Sequence, residues 1–244
     1  GGQDAVARNA PRFKLAGVEL DAEYMRATDA GAVAAPRFRL SGVTPDVERE
    51  FASLTSTLKL PKGTRAERQA ALDEWIKGNP KEYAALEKLR GDVLKAAGYT
   101  IKGFHNSGSR FNVFDLGMAR TSSDIQGFFF KDQRDSYQEY GPVEYSVFLK
   151  VQNPAKDEQA LEGFSPASTD DAGVVHREKL ISQGYDGAIF SKEWSGMDYT
   201  EIVVFSPSQI KSADPLALDD SGELITPRRW AEEGTADIRF KLPG

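Results

Sequence analysis

The chain of 244 residues is 40% hydrophobic and 28% charged, enough for one sizeable core or for one core plus a small helical module. It has no cysteine, and its two histidines, His105 and His176, stand 71 positions apart with no ligand-spaced cluster around either. Disulfides, thiolate nucleophiles and Cys-ligated zinc are thereby excluded, and no catalytic metal is expected. No apolar run approaches the roughly 20 residues of a spanning helix, so no membrane partner is expected, and a net charge of −6 gives no general pull toward a nucleic-acid backbone.

The first 43 residues contain a recurring element. Ala10-Pro11-Arg12-Phe13-Lys14-Leu15 returns 25 residues later as Ala35-Pro36-Arg37-Phe38-Arg39-Leu40, and a looser copy, Arg239-Phe240-Lys241-Leu242, stands near the other terminus. Two tandem copies fall short of the roughly three units a stacked repeat needs. Residues 1–43 therefore read as a flexible linker. Its Arg-Phe-x-Leu elements are either chance basic-aromatic patches or junctions between modules of a longer polypeptide. No secretory leader is visible, and Gly1-Gly2 in place of a starting Met leaves the native terminus open.

Residues 44–98 read as helical. Thr44-Pro45-Asp46 is a cap followed by Pro in the first turn, and Val47, Phe51, Leu54 and Leu58 form the apolar stripe. A second helix is predicted from Thr64 to about Lys77, with Ala66, Ala70, Leu72 and Trp75 inward. A third runs from about Pro80 to Ala97, with Tyr83, Leu86, Leu89, Val93 and Leu94 on one stripe, and stops at Gly98.

After Tyr99 the pattern changes to short segments rich in Val, Ile, Phe and Tyr: 100–105, 110–116, 127–131, 143–151, 187–191 and 200–206. Turn signals separate them, among them Asn153-Pro154 and Ser206-Pro207, and one helix is predicted from about Asp170 to Gln183, ended by Gly184. Many strands with few helices indicate an α+β domain over 99–213, a two-layer, mostly antiparallel sheet preceded by the small helical region. Residues 214–244 read as a polar, loop-like, partly mobile tail.

Three stretches carry candidate chemistry. In Gly127-Phe128-Phe129-Phe130-Lys131, alternation sends Phe128 and Phe130 to one face and Phe129 to the other, with Ser136, Tyr137 and Tyr140 downstream. By itself this fits a core strand leading into a capped helix; the functional alternative is an aromatic slot of Phe129 and Tyr140 for a flat cationic ring. In Tyr199-Thr200-Glu201-Ile202-Val203-Val204-Phe205 a carboxylate leads an apolar strand, where burial without partners costs several kcal/mol. Glu201 is thus either frayed into solvent or held for a purpose. His105-Asn106-Ser107 ends the first strand and is as consistent with structure as with binding.

Taken together, these motifs resemble the ADP-ribosyltransferase superfamily, in the His-Tyr-Glu branch shared by diphtheria toxin and the poly(ADP-ribose) polymerases. The likeness rests on His105 at the first strand, on Phe129 eleven positions before Tyr140, and on Glu201 heading an apolar strand with Gln209 eight positions on. The run Glu201-Ile202-Val203-Val204-Phe205-Ser206-Pro207-Ser208-Gln209, with Gly184-Tyr185-Asp186-Gly187-Ala188-Ile189-Phe190 before it, is similar to transferase domains of phage and prophage polyvalent proteins. Three departures stand out. Asn106 replaces the usual Gly after the His, Phe129 replaces a Tyr, and Tyr199 stands where arginine-modifying relatives carry an acidic or amide residue.

The resemblance implies a split-sheet fold and transfer of ADP-ribose from NAD⁺ as co-substrate, with Glu201 catalytic. It further implies that His105, Asn106, Ser107, Phe129, Ser136, Tyr137 and Tyr140 hold the dinucleotide. The implied acceptor is a macromolecule, a protein first and a nucleic acid second, and the implied setting is a monomeric bacterial or phage effector, cytoplasmic or delivered into a host cell. The same site also fits an NAD⁺ glycohydrolase or an inactive binding module.

Overall fold

The computed structural model describes residues 43–119, 125–134, 140–157, 160, 171–194 and 197–230. The Arg-Phe-x-Leu elements, Ser136 and Tyr137 lie outside these residues.

Three helices open the described chain: α1 Pro45–Leu54, α2 Arg65–Gly78 and α3 Pro80–Ala96. Their starts follow from capping chemistry. Thr44 Oγ1 accepts from the Val47 N–H, and Thr64 and Glu67 form a reciprocal capping box that satisfies two otherwise orphaned donors. Helix α3 begins with Pro80, whose missing N–H is no loss in a first turn, and ends before Gly98 at φ +91°.

Seven strands form one sheet: β1 Ile101–Ser107, β2 Phe128–Lys131, β3 Val143–Leu149, β4 Pro154–Lys156, β5 Gly187–Trp194, β6 Met197–Val204 and β7 Ile210–Ser212. Their spatial order is β4-β5-β6-β2-β1-β3-β7, antiparallel throughout except for the β4–β5 pair. A helix, α4 Ala172–Ser182, precedes β5 and ends at Gly184, φ +90°. This is the expected α+β class.

Register sorts the side chains into two apolar layers. Phe128, Phe130, Val147, Leu149, Ile202, Val204 and Ile210 gather on one face with Phe114. On the other face Ala188, Phe190 and Val203 pack with Leu180 of α4, and Phe129 joins them from the strand. The predicted split of Phe129 from Phe128 and Phe130 holds, because the strand alternates and both faces are covered.

Several expectations are corrected. Residues 110–116 form no strand. They are a loop ending in the short turn Leu116–Met118, whose Gly117 N–H is capped by Asp115. The Phe111 N–H donates to the Tyr145 hydroxyl at 2.5 Å, and that hydroxyl donates to the Ser109 carbonyl at 3.3 Å. A side chain thus supplies the partners that a neighbouring strand would have supplied. Pro154, expected in a turn, begins the edge strand β4, where its missing donor costs no ladder bond.

The described residues after Asp214, up to Trp230, are not a polar tail. Leu216, Leu218, Ile225 and Trp230 are buried, and Trp230, in the short helix α5 Pro227–Trp230, meets Phe51 edge-on at 5.4 Å. Burying such side chains contributes roughly 2–3 kcal/mol each. Arg90 of α3 lies over the Trp230 ring and donates to the Ser212 carbonyl at 2.6 Å, Arg65 donates to the Asp219 carbonyl, and Tyr99 donates to the Ser208 carbonyl. The helical region and the C-terminal segment therefore form one packed body with the sheet. Among the described residues no helix is long and apolar enough to cross a membrane.

Candidate active site

Strands β1 and β2 pair at one position among the described residues, Phe104 with Lys131. Along β1 the partner on the other side is β3, continuous from Ile101–Leu149 to Ser107–Val143. Along β2 it is β6, continuous from Phe128–Val204 to Lys131–Glu201. The sheet is thus two well-paired halves joined at a single rung. Past that rung the halves separate, and a cleft of about 770 Å³ opens between them. His105, Asn106, Phe129, Lys131, Tyr140 and Glu201 all line it.

His105 sits in the split. Its Nδ1 lies 2.9 Å from the Phe129 carbonyl oxygen, and its ring is packed among Phe111, Phe114, Phe130 and Tyr145. A carbonyl can only accept, so Nδ1 carries the proton. Burial holds the imidazole below its usual pKa of 6.5 despite that hydrogen bond, which favours the neutral ring and leaves Nε2 as an acceptor.

Glu201 lies on the opposite face from His105. Register places Glu201, Lys131, Phe104 and Asn106 on one side of the sheet, and His105 with Phe130 on the other. The two groups meet the same cleft only because the sheet is split. The Glu201 side chain is 18% exposed, and Lys192 Nζ stands 3.9 Å from its Oε2. Lys131 faces it across the β2–β6 rung, and Lys131 Nζ lies 5.0 Å from the Tyr199 ring centre and 5.8 Å from that of Tyr140. Two lysines accompany the carboxylate, which moderates the cost of partly burying it.

Tyr140 is 59% exposed at the cleft mouth. Its position is set by Gly141, at φ +126°, pressed against the end of β1. A Cβ there would stand 2.4 Å from the Ser107 carbonyl carbon and oxygen. The Gly141 carbonyl in turn accepts from Asn106 Nδ2 at 3.4 Å. So the structure brings Asn106 and Ser107 against the Tyr140–Gly141 segment. Phe129 lines one wall while its ring packs with the apolar cluster beneath α4.

Gln209 serves the scaffold. Its Oε1 accepts from the Phe205 and Ser206 N–H groups, and its Nε2 donates to the Lys150 and Asp186 carbonyls. One amide with four bonds ties the β6–β7 turn to the ends of β3 and β5. Sequence reasoning missed Lys131, Lys192 and Tyr199 as site neighbours. Lys131 and Tyr199 follow from period-two alternation around Phe129 and Glu201, whereas Lys192 needed the β5–β6 register, which pairs it with Tyr199.

A mostly antiparallel sheet opened along one seam, with Glu201 lining the opening, is an α+β arrangement consistent with an ADP-ribosyltransferase domain. Among known families, the one described as ADP-ribosyltransferase in polyvalent proteins matches residues 95–217, and the chain belongs to it. ADP-ribosyltransferase domains take NAD⁺ as substrate. No curated protein and no solved structure matches the chain.

Proposed function

We propose that the protein transfers ADP-ribose from NAD⁺ to a protein acceptor and releases nicotinamide, in the manner of the His-Tyr-Glu branch, with Glu201 as the catalytic carboxylate. The observation that carries this reading is Glu201 itself, 18% exposed and lining the split that also holds the His105 ring and the exposed face of Tyr140.

The chemistry suits one carboxylate. The nicotinamide of NAD⁺ is a cation that leaves neutral, so its departure needs no general acid, unlike ordinary glycoside cleavage. As the bond from ribose C1′ to the pyridinium nitrogen breaks, its electron pair goes to that nitrogen and positive charge develops on the ribose. Glu201 accepts a hydrogen bond from a ribose hydroxyl and stabilises that charge, and the acceptor's nucleophile adds at C1′ as its proton passes to the Glu201 carboxylate. His105, neutral and protonated at Nδ1, offers Nε2 to the hydroxyl of the second ribose. Tyr140 flanks the pyridinium ring, Phe129 lines the wall beneath it, and Asn106 and Ser107 hold its amide. The host is a bacterium or phage that deploys the protein as a monomeric effector.

Labelled NAD⁺ incubated with cell lysate tests the reading. Wild-type protein labels one or more macromolecules, and Glu201→Gln does not. Equal labelling by both refutes the assignment of Glu201, and release of free ADP-ribose without labelled macromolecule replaces the protein acceptor with water.

A further inference from the structure

Lys131 occupies an unusual place beside the carboxylate. Its ammonium lies 5.0 Å from the centre of the Tyr199 ring and 5.8 Å from that of Tyr140, both inside the range of about 6 Å in which a ring face attracts a cation. Its own strand position is directly opposite Glu201. Tyr199 stands two residues before Glu201 on the same strand, so both side chains share a face. Two ring faces therefore converge on a single positive charge, whose strand position is opposite that of the carboxylate. Phe129, by contrast, directs its ring into the cluster of Leu180, Phe190 and Val203.

Resting on the reading above, we infer that Tyr140 and Tyr199 form the seat of the substrate's pyridinium ring, and that the Lys131 ammonium holds this seat until the dinucleotide displaces it. An ammonium and a pyridinium carry the same charge and are attracted by the same groups, so the two cannot share the seat without repulsion. Lys131 thereby acts as an internal competitor. Because the competition is for a cation, it applies to NAD⁺ and not to NADH, whose dihydropyridine ring is neutral and whose remaining atoms are otherwise alike. Lys192, 3.9 Å from the carboxylate, retains Glu201 when Lys131 moves aside.

Calorimetric titration of the full chain with NAD⁺ and with NADH tests this, with a thermal melt of each variant to establish folding. Lys131→Met binds NAD⁺ about fivefold tighter than wild type with NADH affinity unchanged, and Lys131→Arg behaves as wild type. Tyr199→Leu weakens NAD⁺ more than NADH. If Lys131→Met weakens both dinucleotides alike, the lysine grips a group common to them, and the inference is overturned while the proposed function stands. Unchanged affinities in Lys131→Met overturn it equally. A wild-type chain that binds NAD⁺ not at all removes both this inference and the function beneath it. Should Tyr199→Leu fail to fold, the Lys131→Met comparison decides alone.

Discussion

The imidazole of His105 donates from Nδ1 to the carbonyl of Phe129 at 2.9 Å, just past the single rung that joins β1 to β2. A side chain takes the place of ladder pairing there, and the sheet opens around it. The same contact that fixes the histidine tautomer thus marks the start of the cleft.

Glu201→Gln keeps size and hydrogen-bonding capacity but removes the charge. It retains the fold and binds NAD⁺, while turnover falls at least about 100-fold, the scale of a positioned catalytic group. Single-turnover release of nicotinamide measures this. A rate within threefold or so of wild type removes Glu201 from the mechanism.

The pH dependence follows from His105. Burial lowers its folded-state pKa below 6.5, so the folded protein binds fewer protons than the unfolded chain between those two values. The stability owed to the neutral ring is complete above pH 6.5 and is lost as pH falls through the lowered folded value. Thermal midpoints between about pH 7.5 and pH 5 show this loss, and His105→Asn, which keeps a donor near the Nδ1 position, reduces it. NAD⁺ affinity declines over the same window in wild type as Nε2 gains a proton. A flat affinity profile contradicts the acceptor role of that nitrogen.

Tyr140 and Gly141 separate affinity from geometry. Tyr140→Ala removes an exposed ring and leaves the core intact, so NAD⁺ affinity drops by roughly 1–2 kcal/mol, about five- to thirtyfold, at unchanged thermal midpoint. Gly141→Ala introduces a Cβ against the Ser107 carbonyl at a backbone angle that L-residues rarely adopt. It weakens NAD⁺ binding through displaced Tyr140 and costs on the order of 1–3 kcal/mol of stability. Wild-type binding and melting by Gly141→Ala show that this segment tolerates displacement.

Gln209→Ala strips four hydrogen bonds from the junction of three strands and leaves their backbone partners without it. The expected loss is roughly 2–4 kcal/mol in denaturant unfolding. Under stabilising conditions the variant still consumes NAD⁺. A variant of normal stability but no activity places Gln209 in the reaction instead of the scaffold.

Local chemistry made much of this protein legible. Caps at Thr44 and Thr64, Pro80 at a first turn, glycine stops at Gly98 and Gly184, and the apolar runs Phe128–Phe130 and Ile202–Val204 each depend on neighbours in sequence and lie in elements that were expected, although β6 spans Met197–Val204 and not 200–206. The family was legible through resemblance, carried by His105, the Phe129–Tyr140 spacing and the Glu201–Gln209 run together. Residues 110–116 misled for a physical reason. Their aromatics read as a strand, yet the Phe111 N–H donates to the Tyr145 hydroxyl, a group distant in sequence that only folding brings close.

What the tertiary structure decided is which charges and rings share the cleft. Alternation places His105 and Glu201 on opposite faces, and only the single-rung junction of β1 and β2 lets both reach one space. The burial of Trp230 likewise depends on surfaces offered by α1 and α3, where it meets Phe51 and Arg90. Sequence fixes what each strand and helix prefers locally; the register between strands, a property of long-range pairing, fixes what faces Glu201.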